Sequence, residues 1–338
     1  MTDSIATALR IGLDDGYAYT KVALPCGRVF AVPSRAKLGA AGITALHADH
    51  APIREYVTDG LRYAAGAVEG ESTRFDDYPV SRLNRVIVQH ALQAAGLSGR
   101  VLHAVSGLPV STFYHAEGAK RNDFITQKRA NLKTAARPAD ESLPAEIAFH
   151  EVIPEALAAW YDDVVTETPD GVKLETERMQ APVAVIDIGG RTTDFVVVAD
   201  QAVIHRSSGS LRCGLLDVKQ QIGERLRARF DLESLPERAV DDAVRQRRIR
   251  LYGKAHDISD LLTLVLREVV EKIYVETRRQ LGKGAELERV LIVGGGAVVL
   301  DEHLRHWFPN QVIAAMPAFA NARGMLKYLQ FVAHEPAC

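Results

Sequence analysis

Apolar residues in this chain fall into short runs that end in polar, glycine-bearing turns. Longer stretches with apolar positions three and four apart separate them. Residues 9 to 33, LRIGLDDGYAYTKVALPCGRVFAVP, read as strand, acidic-glycine turn, strand, turn, strand. The segment from Ala40 to Arg82 is mixed, with strand-like pieces such as EYVTDGLRYAAG, and reads as an insertion rather than core. Residues 82 to 96, RLNRVIVQHALQAAG, have helical spacing and end on Gly96, a fitting helix stop. VLHAVSGLP follows as a buried strand. Residues 118 to 143 are charged and poor in bulky apolar groups, which predicts an exposed loop plus a short helix. AEIAFHEVIPE reads as a strand running into the helix EALAAWYDDVV, opened by Pro154 and Glu155 at its first turn.

The polar stretch 166 to 182, with Pro169, Gly171 and Pro182, reads as the crossing between two halves. Beyond it VAVIDIGGRTTDFVVVADQAVI repeats the opening form: a buried strand ends in Asp187, glycine follows within two residues, and a second strand returns. Two such units in one chain suggest a duplicated domain. CGLLDVKQQIGERLRARF and SDLLTLVLREVVEKIYVETRRQLGK read as helices, LERVLIVGGGAVVLDEHLRHWF as strand, glycine turn and helix, and MPAFANARGMLKYLQFVA as a closing helix.

The length of 338 residues suits two domains of roughly 150 residues each. A net charge of -2 implies no strong polyanion-binding field, so nucleic-acid or membrane binding would need a local patch. The arginine-rich VRQRRIR at 244 to 250 is such a patch, read as a solvated helix face or as a contact for DNA, an adaptor or a neighbouring subunit. Cys26, Cys213 and Cys338 are too widely spaced for a zinc cage or a disulfide framework and agree with a reducing cytoplasm. No stretch approaches the ~20 apolar residues of a membrane helix. The N-terminus lacks the long apolar run of a signal peptide.

Four places carry candidate chemistry. At Asp14, Asp15, Gly16 and Lys21 a glycine turn could let backbone N–H groups approach an anion, with Lys21 as a point charge for phosphate. Asp14 would suit phosphate only with a divalent cation between them. At Asp187, Gly189, Gly190, Thr192, Thr193 and Asp194 a carboxylate, Asp187, ends a buried run, where it is costly unless paired or near a metal. Gly294, Gly295 and Gly296 join a strand to a helix and let a ligand sit against bare backbone. The spacing is neither GxGxxG nor GxxxxGK[ST], which disfavours Rossmann and P-loop readings. Glu155 could orient or deprotonate a water for attack on a γ-phosphate. Each motif alone also reads as an ordinary turn or helix start.

Their order resembles the actin, sugar-kinase and heat-shock-chaperone ATPase superfamily, and within it the ParM (StbA) plasmid-segregation actins. The resemblance rests on LDDG at 13 to 16, GLPVSTFY at 107 to 114, KRANLK at 128 to 133, VIPEALAAWY at 152 to 161, IDIGGRTTDF at 186 to 195, IVGGGA at 292 to 297 and the ending NARGMLKYL. It implies an α/β, actin-like (ribonuclease H-like) duplicated fold with a nucleotide cleft between the domains. Domain I would span 1–178, with an insertion subdomain at about 34–82 and a C-terminal helix at about 318–338 packing back on it. Domain II would span 179–317.

By the same resemblance Asp14, Asp15, Gly16, Tyr17 and Lys21 match the first phosphate loop. Gly189, Gly190, Arg191, Thr192 and Thr193 match the second. Asp187, with Asp14, would lie near a hydrated Mg2+. Glu155 matches the water-positioning glutamate. Glu224 and Gly294 to Gly296 match the nucleoside side. Tyr17 and Ala18 replace hydroxyl-bearing residues common in relatives, so backbone donors must suffice there, and Arg191 stands where a small residue is common and can itself pair with phosphate. The implied function is ATP or GTP hydrolysis coupled to head-to-tail filament assembly, with an adaptor protein linking the filament indirectly to plasmid centromere DNA and no membrane partner. A small-molecule kinase and a non-segregation actin-like scaffold are the alternatives on this fold.

Overall fold

A computed structural model of the chain describes residues 8–42, 53–168 and 171–333. The N-terminal segment through residue 7, part of the expected insertion at 43–52, and the tail after 333 with Cys338 lie outside the described residues. Two compact units are formed: Met1–Met179 with Phe319–Cys338, and Gln180–Ala318.

The first unit is built on a five-stranded sheet. Its strands are Leu9–Asp15, Tyr19–Ala23, Val29–Pro33, Val101–Leu108 and Glu146–Pro154. Counted along the chain, they lie in the order 3-2-1-4-5. The first three form an antiparallel meander, and the first, fourth and fifth run parallel. Inward residues Ile11, Leu13, Leu102 and Ala104 pack against Val88, Ala91 and Leu92 of the helix Arg82–Ala94. The Ser81 hydroxyl caps that helix by accepting from the Asn84 N–H.

Within the segment after Pro33, Ile53–Thr58 and Leu61–Gly66 form a hairpin in a small four-stranded sheet with Ala36–Leu38 and Arg137–Pro138. The last helix, Ala320–Phe331, returns to this unit. Its Ala322 and Leu326 cover Ala23, and its Met325 and Leu329 pack with Val105, Ile153 and Ala158. Backbone meets backbone there: a Cβ on Gly12 would lie 1.8 Å from the Ala322 carbonyl oxygen, and one on Gly324 1.7 Å from that of Ala158. Asp162 then pairs with Arg323 at 2.6 Å and Lys327 at 2.8 Å.

The second unit repeats the plan. Val183–Ile188, Thr193–Ala199, Ala202–Val203, Arg289–Val293 and Gln311–Ile313 again lie in the order 3-2-1-4-5, and Gly209–Leu211 adds to the second strand. Val183–Ile188 is buried along its whole length, as a central strand flanked on both sides requires. The helices Leu215–Phe230 and Ser259–Leu281 cover it, with Ile222, Leu226, Val265 and Val269 in the core beside Ile186 and Phe195.

Two stretches carry more structure than their sequence reading, and one departs from it. Residues 118 to 143 hold a twelve-residue helix, Asn122–Lys133, with Ile125, Lys128, Asn131 and Leu132 buried on one stripe. The crossing stretch folds into a hairpin, Val165–Thr168 with Gly171–Leu174, and a short helix, Thr176–Gln180. The arginine run is no continuous helix face: Glu237–Gln246 ends at Arg247 in a left-handed conformation, and Arg248–Leu251 is a strand that buries Ile249 between exposed Arg248 and Arg250.

Candidate functional site: two acidic hairpins, a glycine turn and Glu155

In the first unit the strand Leu9–Asp15 ends in two acids. Successive side chains on a strand point to opposite faces, so Asp14 and Asp15 serve different ends. Asp14 lies opposite Lys21 in the hairpin, and the Lys21 ammonium donates to its carboxylate at 2.7 Å. Asp15 points toward the packed helices, where it accepts from Lys128 Nζ at 2.7 Å and Asn84 Nδ2 at 2.9 Å. Lys128 and Asp15 are both almost fully buried. The Asp15 carboxylate is therefore committed to holding the hairpin on the helix Asn122–Lys133. Lys128 is the residue that sequence reasoning left without a role. The signal was there: it occupies an apolar position of the stripe Ile125, Lys128, Leu132.

The loop between these strands is tied down from below. Ser34 Oγ donates to the Gly16 carbonyl at 2.6 Å, and Thr73 Oγ1 to the Tyr17 carbonyl at 2.7 Å. The Tyr17 ring is buried against Tyr78, with centroids 5.0 Å apart. What the loop offers a ligand is thus main chain and Lys21.

The equivalent hairpin of the second unit places Asp187 opposite Asp194, two buried carboxylates side by side on one face. Asp194 accepts from the hydroxyls of Thr192, at 2.8 Å, and Ser210. Thr193 Oγ1 donates to the Cys213 carbonyl at 2.8 Å. The Thr192 hydroxyl thus bonds within the hairpin, and that of Thr193 ties the hairpin to the segment before the next helix. Gly189 and Gly190 present their carbonyls to the Leu215 and Leu216 N–H groups, docking the next helix onto the loop. Arg191, which follows them, is half-buried.

The glycine turn packs on the same strand. Gly294 has φ +93°, and a Cβ there would meet the Ile188 carbonyl oxygen at 2.3 Å and Asp187 Oδ1 at 2.4 Å. A Cβ on Gly296 would meet Ile188 Cγ2 at 2.4 Å, whereas one on Gly295 would meet nothing within 4 Å. Two of the three glycines let the chain approach itself, and Gly295 faces open space. Glu224 is exposed on its helix and accepts from Gln220 at 2.9 Å.

Glu155 lies in the first unit but not within a helix. The strand ladder carries the chain through Pro154, which pairs with Leu108, and the helix begins only at Leu157. Pro154 therefore closes the strand, and Glu155 sits on the single turn between the two elements. Among the described residues no three His, Cys, Asp or Glu side chains gather as a metal cage, and no helix is long and apolar enough to cross a membrane.

Two sheets of one strand order, each with an acidic hairpin at its head, define an actin-like α/β protein. The comparisons agree. The family described as plasmid segregation protein ParM, N-terminal, matches residues 9–165, and that described as archaeal actin homologue MreB-like, C-terminal, matches residues 185–306. Among solved structures, the archaeal actin homologue Ta0583 is 20% identical with a TM-score of 0.73, covering 95% of this chain and 99% of that one. It has also been solved in complex with ADP. A non-polymerisable quadruple mutant of pCBH ParM is 18% identical with a TM-score of 0.76, covering 96% and 99%. A 15-stranded ParM filament from Clostridium botulinum is 19% identical with a TM-score of 0.73, covering 95% and 98%. No curated protein matches the chain significantly in sequence. The chain has the actin-like fold and is similar to ParM-type proteins, over residues 9–165 in sequence.

Proposed function

We propose that this chain binds and hydrolyses ATP or GTP with Mg2+, and that its nucleotide-bound form assembles head to tail into filaments that move plasmid DNA through an adaptor protein. The observation that carries the reading is the repeated hairpin: each unit puts a buried carboxylate, Asp14 or Asp187, at the end of the same strand, beside a loop whose main chain is held in place. In this reading the loop at Gly16 with Lys21 and the loop from Gly189 to Thr193 each serve the phosphates. Gly295 is the open face of the nucleoside turn, and Glu155 orients the attacking water.

The donor set fits a hydrated Mg2+, which takes one or two carboxylates and fills its shell with water and phosphate oxygens. Asp187, with Asp194 opposite it, would face the metal through water. Asp14, already neutralised by Lys21, would act through water. The metal would supply charge neutralisation of the phosphates. Assembly into filaments is supported by the ParM filament among the structural relatives. A repeated heterologous contact gives an open polymer when its rotation does not close.

Light scattering with parallel phosphate release, after adding Mg-ATP or Mg-GTP, tests this. Scattering that rises and then decays in the wild type, and persists in Glu155→Ala with turnover reduced about 100-fold or more, is the expected result. Phosphate release without scattering over a wide concentration range would overturn the filament reading in favour of a kinase or scaffold.

A further inference from the structure

The connection from the strand Glu146–Pro154 to the helix Leu157–Val164 is made in two residues, Glu155 and Ala156. The Leu157 N–H donates to the Glu155 carbonyl at 2.7 Å, closing a three-residue turn around Ala156. Ala156 has φ +62° and ψ -44°, the rarer, strained form of γ-turn. An alanine adopts this conformation only where its surroundings impose it, and such strain gathers at functional sites.

Here the surroundings are visible. Ala156 is fully buried, and its N–H donates to Asn321 Oδ1 at 3.2 Å, a contact that comes from the C-terminal helix. The Glu155 N–H is tied to the Leu108 carbonyl at 2.8 Å. Below the side chain lies Gly107: a Cβ there would come within 2.7 Å of Glu155 Cγ, 3.3 Å of its Oε1 and 2.5 Å of Met325 Cε. So the glutamate is held from two sides. Asn321 sets the backbone from which it projects, and the bare α-carbon of Gly107 leaves the space in which its methylenes lie.

We propose that Asn321 and Gly107 are positioning residues for Glu155: through the strained turn at Ala156 and the clearance over Gly107 they aim its carboxylate, and they touch neither nucleotide nor water themselves. The proposal rests on the reading of Glu155 as the group that orients the attacking water. It assigns the C-terminal helix a part in turnover separate from its part in the core. The aim of the carboxylate matters because misplacement of about 1 Å costs up to about 100-fold in rate.

The test measures single-turnover phosphate release and equilibrium affinity for a fluorescent nucleotide in Glu155→Ala, Asn321→Ala, Asn321→Asp and Gly107→Ala, and in each of the Asn321→Ala and Gly107→Ala changes combined with Glu155→Ala. Expected are losses of rate of about 10- to 100-fold in Asn321→Ala and Gly107→Ala, with nucleotide affinity within about twofold of wild type. Asn321→Asp, which keeps an oxygen to accept the Ala156 N–H, recovers most of the rate. Neither change slows the Glu155→Ala protein further, because there is no carboxylate left to aim. A merely structural role would instead lower affinity and add its loss to that of Glu155→Ala. Full rate in folded Asn321→Ala and Gly107→Ala, or additive losses in the combined variants, overturns the proposal and leaves the role of Glu155 standing. Wild-type rate in Glu155→Ala overturns the reading of Glu155 itself. Gly107 and Asn321 lie on different elements, so a variant that fails to fold at one position leaves the other to decide.

Discussion

The hairpin around Gly16 and the hairpin around Gly189 occupy the same place in two sheets of the same strand order, yet their charges are arranged in opposite ways. In the first, Asp14 faces Lys21, and Asp15 faces Lys128 on the other side of the strand. Every acid there has its own ammonium group. In the second, Asp187 faces Asp194, and Asp194 accepts from the hydroxyls of Thr192 and Ser210. One hairpin sets an ammonium group against each acid, and the other sets two buried acids opposite each other. Duplication of a backbone plan thus leaves the chemistry of each copy free to diverge. The first copy is suited to present a cation and main chain to an anion. The second sets carboxylate against carboxylate.

The largest effect that would separate the two hairpins concerns stability. Lys128→Met leaves the Asp15 carboxylate buried and uncompensated, and urea unfolding should show a loss of about 3–5 kcal/mol. Adding Asp15→Asn should restore more than half of it. A Lys128→Met protein as stable as wild type would mean that the first hairpin does not depend on its internal cation. Next comes Asp187→Asn, which should slow phosphate release on the order of 100-fold, about 2.7 kcal/mol of barrier. Without divalent cation its melting temperature should fall less than that of Lys128→Met, since the substitution relieves a pair of facing carboxylates. A melting temperature that falls as far as that of Lys128→Met would erase the contrast.

The smallest effect is on acid sensitivity, and it again falls on the first unit. Burial, with the Lys128 ammonium adding to it, pushes the pKa of His150 down to about 3, and burial with Arg54 pushes that of His90 down to about 4. Both are neutral in the fold, while in the unfolded chain they take up protons below about 6.5. Their contribution to stability is complete above that pH and is lost as pH falls toward the folded values. Unfolding midpoints between pH 7 and pH 5 should therefore decline, and His150→Gln, which keeps a partner for Ser106 now 2.9 Å from the ring, should flatten the decline. An unchanged slope in His150→Gln would remove this residue from the account.

Much of the fold was legible because its strands are short apolar runs closed by glycine. VAVIDIGG and LRIGLDDG announce themselves, and each becomes a central strand with a hairpin. Legibility fell where one residue type served an unusual end. Lys128 made residues 118 to 143 look solvated, because a lysine on a buried stripe counts as polar in any periodicity although its charge is cancelled by Asp15, 113 positions earlier. Pro154 and Glu155 looked like a helix start, since proline and an acid are common there. Only the ladder to Leu108 shows that the strand takes Pro154. Asp14 and Asp15 looked like one phosphate loop, and the alternation of strand side chains divides them. The three glycines at 294 to 296 were legible as a turn. That Gly294 and Gly296 clear the neighbouring strand is a matter of distances that no spacing encodes.

The seat of the final helix has a consequence for how the chain is made. Gly12 and Gly324 let Ala320–Phe331 press its backbone against the first strand and against the helix Leu157–Val164, and its Met325 and Leu329 complete a core whose other members end at Ala158. During synthesis domains generally fold as units in the order in which they emerge. Here the unit that emerges first lacks one wall until residue 331 has left the ribosome, while Gln180–Ala318 is by then complete. The half that is translated first is therefore the half that finishes last.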